Sequence, residues 1–146
     1  MRPITLAETG SRIGSGEPAE KALAEFLDEF YGATSTIHAQ SMLQGAPPPT
    51  GIDHVDALLG AVADYLSMQY LRQPGPGWSQ EALRFLDRPF FTTPIDSDAA
   101  RAWLMHSSPA EFKHHNIFTE AQPLRRKRSE RPAWKELDHH VDEPSM

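Results

Sequence analysis

The chain has 146 residues, no cysteine and a net charge of −6. That length suits one domain of about 100–150 residues. The missing thiols exclude disulfides, thiolate zinc sites and a cysteine nucleophile. No apolar run approaches the ~20 residues of a membrane span, and no signal-peptide pattern follows Met1, so the chain reads as a soluble cytoplasmic protein. The charge is uneven: residues 121–135 carry +5, which leaves −11 for the rest. An acidic body does not suit a phosphate backbone, so any contact with nucleic acid is expected only through the basic segment.

In chain order, residues 1–16 are Gly/Ser-rich and read as a flexible arm. Glu17-Pro18 opens the first helix, since proline fits a first turn. Ala22, Leu23, Phe26, Leu27 and Phe30 then recur at helical spacing, with Gly32 as the stop. Residues 34–43 suggest a short helix with Ile37 and Met42 inward. Pro47, Pro48 and Pro49 lack backbone donors and read as a rigid spacer. Thr50 and Asp53 suggest a cap for the strongest helix, whose stripe runs Ile52, Val55, Leu58, Leu59, Val62, Leu66 and Tyr70.

Residues 73–77 end that helix with Pro74, Gly75, Pro76 and Gly77. An aromatic-rich region follows, with Trp78, Phe85, Phe90 and Phe91. Asp96 or Ser97 starts a further helix through Trp103 and Leu104. Ser108, Pro109 and Glu111 read as N-cap, first helical residue and capping-box partner. Residues 117–119 predict a short extended piece. From Gln122 onward Leu124, Trp134, Leu137 and Val141 stand isolated among charges, which predicts a tail unable to offset its ordering entropy.

Catalytic signals are missing. A zinc site on a helix needs ligands one turn apart, and none of His38, His54, His106, His114, His115, His139 and His140 pairs at that spacing. His139 and His140 with Asp138 and Asp142 offer at most a weak divalent site. The carboxylates of Glu25, Asp28, Glu29, Asp53, Asp56 and Asp64 fall on polar helix faces, where solvation explains them. There is no nucleophile elbow, phosphate loop or dinucleotide fingerprint. The expectation is therefore a non-enzyme with no catalytic residue, metal or cofactor.

One stretch carries a resemblance. It runs Trp78, Arg84-Phe85-Leu86, Pro89-Phe90-Phe91, Ala100-Arg101-Ala102, Leu104, Ser108-Pro109, Phe112, Asn116-Ile117-Phe118 and Leu124. Over roughly residues 51–126 this is similar to a small bacterial domain found alone or fused behind an XRE-type helix-turn-helix. The genes of that domain look like antitoxin or regulator partners, in some cases beside nucleotidyltransferase-like toxins. The resemblance implies an antitoxin-like, non-enzymatic module that binds and restrains a partner protein, such as a toxin encoded nearby.

The expected fold is all-α or nearly so, a small bundle of four to five helices with a short extended segment and flexible tails. Residues 17–120 form the expected helical domain, and 121–146 a basic then acidic tail. The expected partner-binding residues are the aromatic set Trp78, Phe85, Phe90, Phe91 and Trp103, and the basic run Arg125, Arg126, Lys127 and Arg128. Aromatics left at a surface anchor interfaces, and flanking charges speed association. A DNA-binding regulator using the basic run is the alternative, and a small hydrolase or metal-dependent enzyme a more distant one. The sequence leaves the oligomeric state open.

Overall fold

A computed structural model describes residues 4–135. The described residues are predominantly helical, as the periodicity predicts. They fall into two compact units, the second inserted in sequence into the first: residues 4–48 with 124–135, and residues 49–123.

The first unit begins with α1 (Leu6–Gly14), in the stretch where the sequence suggests a flexible arm. Leu6 and Ile13 lie two turns apart and are both buried, with small Thr9 and Gly10 between them on the same side. Thr5 Oγ1 accepts from the Glu8 amide and caps the start. Gly16, at φ +110°, closes the end: its amide donates to Ile13 O while the Glu17 amide donates to Arg12 O. That is the Schellman arrangement, which needs a left-handed residue after the cap. Arg12 pairs with Glu17 and Glu25, tying α1 to α2.

Helix α2 (Ala19–Tyr31) buries Ala22, Leu23, Phe26, Leu27 and Phe30, the predicted stripe, and ends at Gly32. Helix α3 (Thr36–Gln44) is capped by Ser35 and buries Ala39, Met42 and Leu43. Ile37, expected inward, is 77% exposed. It is out of phase with the stripe that Ala39, Met42 and Leu43 set, so the helix turns it to solvent.

The C-terminal segment departs most from expectation. Residues 124–135 lie back on α2. The Tyr31 hydroxyl donates to Leu124 O at 3.0 Å. Trp134 is 1% exposed and meets Phe30 edge-on at 4.9 Å. Isolated apolar residues were expected to be too few to order a tail, but one indole seated on an aromatic patch buries the largest apolar area any side chain offers. Leu137, Val141, His139, His140, Asp138 and Asp142 lie outside the described residues.

The second unit is built on α4 (Asp53–Tyr70). Val55, Leu59, Val62 and Leu66 are buried as predicted, and so are Ala57, Gly60, Ala61, Ala63 and Ser67, so the helix is enclosed on nearly all sides. Ile52 is exposed because it sits at the cap position, before the stripe begins. Thr50 does not pair with Asp53: its amide and hydroxyl both donate to Asp56 Oδ1, one turn further in, at 2.9 and 2.8 Å.

Two short 3-10 turns follow, Gly77–Gln80 and Ala82–Arg84. Strand β1 (Phe90–Phe91) pairs in parallel with β2 (Ile117–Phe118), Phe90 opposite Ile117 and Phe91 opposite Phe118. The extended piece near Phe118 was expected, its partner strand was not. The crossover between them holds α5 (Asp98–Ser107) and α6 (Ala110–His114). Ser108 is not the N-cap of α6. It ends α5 instead, buried, with its hydroxyl on Leu104 O and Thr119 O and accepting from the Thr119 amide. It thereby joins the end of α5 to the residue after β2. Phe112 is buried and meets Tyr65 of α4 edge-on.

Trp134 supplies the test of the returning segment. Trp134→Ala is expected to destabilise the protein by about 3–5 kcal/mol, read as a shift in the midpoint of denaturant unfolding. An unchanged midpoint would show that residues 124–135 are a solvated tail after all.

Candidate interaction surface

The polar residues of α4 explain how the aromatic region is held. Asp56, Gly60 and Asp64 follow one another at four-residue spacing, so they share a face of the helix. Asp64 reaches three donors. His115 Nε2 lies 2.6 Å from its Oδ2, Ser79 Oγ 2.6 Å from Oδ1, and Gln80 Nε2 3.2 Å from Oδ2. The other ring nitrogen of His115 is 2.6 Å from the Arg84 carbonyl oxygen. Arg84 is buried as well, and its Nη1 donates to Asp56 O at 3.1 Å. Burial pushes the Arg84 guanidinium down from its ordinary range, while the carboxylates of Asp56 and Glu81 oppose the shift.

Between the two acids, Gly60 leaves room for this layer. A Cβ there would stand 2.9 Å from Arg84 Cβ and 3.1 Å from His115 Cε1. Solvation therefore does not explain Asp56 or Asp64, as the sequence suggested: the Asp56 carboxylate holds Thr50, and Asp64 faces a segment that folds onto α4. The i, i+4, i+8 run of acid, glycine and acid on an apolar helix was the available signal.

Chemically this layer holds structure together. The series runs Ser79, Asp64, His115, with the carboxylate in the middle. A histidine that activated Ser79 would have to touch it, and here it does not. His115 is fully buried and both its nitrogens are engaged. Among the described residues no group of three or more His, Asp or Glu side chains is placed to hold a metal ion, and no helix is long and apolar enough to cross a membrane. A shallow open depression of about 370 Å³ beside α1 is lined by Glu8, Ser11, Arg12, Ser15 and Glu17, where Arg12 is already committed to carboxylates.

The expected aromatic set separates on this scaffold. The Arg84 guanidinium lies 4.8 Å above the Trp78 ring. Phe85 stacks on His115 at 4.6 Å, and Phe90 on His54 at 4.5 Å. Phe91 stacks on Phe118 across the strand pair at 5.4 Å and carries the Arg101 guanidinium at 4.8 Å. These four are half-buried and each has a partner within the chain. Trp103 differs, at 67% exposed.

Trp103 stands on α5, which has no buried residue at all. A ten-residue helix is marginal in water on its own propensity. Here it is held at its ends and edge. Ser97 caps it by accepting from the Ala100 amide, Ser108 secures its last turn, and Arg101 rests on Phe91. Ala99, Ala102, Trp103 and His106, at i, i+3, i+4 and i+7, form one exposed face.

The basic run belongs to the first unit. Arg126 makes a two-pronged pair with Asp28 of α2, at 2.9 Å for both bonds, which raises its pKa further above the usual arginine range. Arg125, Lys127 and Arg128 are exposed, with Glu130 3.7 Å from Arg125.

The close approach at Gly60 is open to test. On helix propensity alone Gly60→Ala would stabilise by about 1 kcal/mol. Crowding against Arg84 and His115 is expected to reverse the sign and destabilise by about 1–3 kcal/mol, seen as a lower melting temperature. A raised melting temperature would mean that the Arg84 turn does not press on α4. No family model, curated protein or solved structure matches this chain, so what the surface does has to be read from its own geometry.

Proposed function

We propose that the chain is a non-enzymatic protein-interaction module of the cytoplasm, antitoxin-like in that it binds and restrains a partner protein encoded beside it. The observation that carries this reading is α5, a helix that buries none of its side chains and presents an exposed tryptophan. Tryptophan is among the residues that most often carry interface energy, and it acts best when a pocket closes around it. Small Ala99 and Ala102 beside it let another backbone approach closely.

The size of the patch favours a concave partner over a second copy. Ten residues at 1.5 Å rise give a helix about 15 Å long. Two such helices laid side by side fall well short of the roughly 1,200 Å² that a specific interface buries. A groove that closes on three sides of one helix recovers the missing area, as in helix-in-groove recognition.

The same geometry separates Trp103 from its aromatic neighbours. Trp103→Ala is expected to leave the melting temperature unchanged and to weaken binding of the purified adjacent-gene product about 30-fold, the equivalent of some 2 kcal/mol. Phe91→Ala, which removes the stack across the strand pair, is expected to lower the melting temperature instead. The two assays are a thermal melt and a calorimetric titration run on the same preparations. Equal melting losses for both variants, or an affinity indifferent to Trp103→Ala, would contradict the proposal.

A further inference from the structure

The returning segment of the first unit offers a second surface, and its geometry makes it more than a run of like charges. Its anchoring residues are fixed. Leu124 receives the Tyr31 hydroxyl, Arg126 clasps Asp28, and Trp134 is buried on Phe30. Between these anchors the backbone makes two tight turns in succession. The Ser129 amide donates to Arg126 O at 3.0 Å, and the Arg131 amide to Arg128 O at 3.2 Å. Ser129 locks the first turn from inside: it is buried, and its hydroxyl donates to Arg126 O at 2.8 Å.

The outcome is a sorted segment. Leu124, Ser129, Pro132 and Trp134 are buried, Arg126 is exposed but engaged with Asp28, and Arg125, Lys127, Arg128 and Arg131 are exposed. Glu130 is the one acid among residues 124–135. Its contact with Arg125 joins two largely exposed side chains at 3.7 Å, and pairs of that kind contribute little.

We propose that this pinned turn is a preformed docking surface for a short acidic peptide segment of the partner protein. It rests on the reading of the chain as an interaction module and adds a contact on the unit that does not carry α5. One observation favours binding at this turn and a second selects an acidic peptide. The first is order: a backbone already folded before contact loses less entropy on binding than a free basic tail would. The second is the surrounding charge. Asp28 touches Arg126, and Glu29 lies on the same helix of an otherwise acidic body. A duplex presents a charge about every 1.7 Å over its whole length and would run these carboxylates against its phosphates. A short stretch of Glu and Asp side chains can sit on the turn alone.

The test is fluorescence anisotropy with the full chain and a labelled decapeptide alternating Glu and Ser, beside a labelled twelve-base-pair duplex. At low salt the peptide is expected to bind saturably at one site per chain. Raising the salt from about 50 to 300 mM, which shortens the screening length below 10 Å, should weaken it about tenfold. The triple variant Arg125→Gln, Lys127→Gln, Arg131→Gln should weaken it about tenfold with unchanged melting, and Trp103→Ala should leave it as it was. No saturable peptide binding, the same affinity in the triple variant, or tighter binding of the duplex than of the peptide would each overturn the proposal. If the peptide fails while Trp103→Ala still weakens partner binding, only the acidic-segment inference falls. If partner binding ignores Trp103 while the peptide result holds, the α5 reading falls instead.

Discussion

The carboxylate of Asp64 accepts from His115, Ser79 and Gln80 at once, and much of the second unit follows from that. These donors come from two stretches of chain about 35 residues apart, and the acid brings both onto one face of α4. His115 then carries the connection on, through its other nitrogen, to the backbone of Arg84. Buried polar groups stabilise only when each has a partner. Here Asp64, Ser79 and both ring nitrogens of His115 are partnered in one linked set, in which losing one member would leave others stranded. Gly60 is the steric condition for it, since any side chain would hold the turn away from the helix.

The 77–86 segment, His115 and Phe112 pack on α4. Four of the five aromatics find partners inside the chain, and the strand pair takes Phe90 and Phe91. Helix α5 remains at the edge of this packing, fixed by Ser97, Ser108 and Arg101, with no residue fully buried and Trp103 in solvent. That placement turns an otherwise ordinary helix into a presented surface. In the first unit the opposite happens: residues expected to be free, among them Trp134 and Arg126, are drawn onto α2 and leave selected cations facing outward.

Much of the helical scaffold was legible because periodicity reports burial directly. The stripes of α2 and α4, the stop at Gly32 and the start of α5 at Ser97 all follow from apolar spacing and cap chemistry. Misreadings arose where a residue's role depends on a partner distant in sequence. Ser108 looks like an N-cap locally, yet Thr119 claims it. Asp64 looks solvated until His115 arrives from 51 positions away. Trp134 has no periodic neighbours because a single large ring needs none. The arm at residues 6–14 was the exception, a miss with local signals: Thr5 before Glu8 and Gly16 after Ile13 mark both ends of α1. Of the candidate binding residues, composition identified the aromatics, but only burial separates Trp103 from the others.

The central claim is that α5 is held out for a partner and not for the fold. Amide hydrogen exchange on α5, with and without the purified partner, addresses it most directly. In the free protein α5 should exchange well ahead of α4, since none of its residues is fully buried, and the partner should slow exchange at α5 while leaving α4 as it was. Protection of α5 equal to that of α4 in the free protein, or protection gained elsewhere while α5 stays unchanged, would contradict the account.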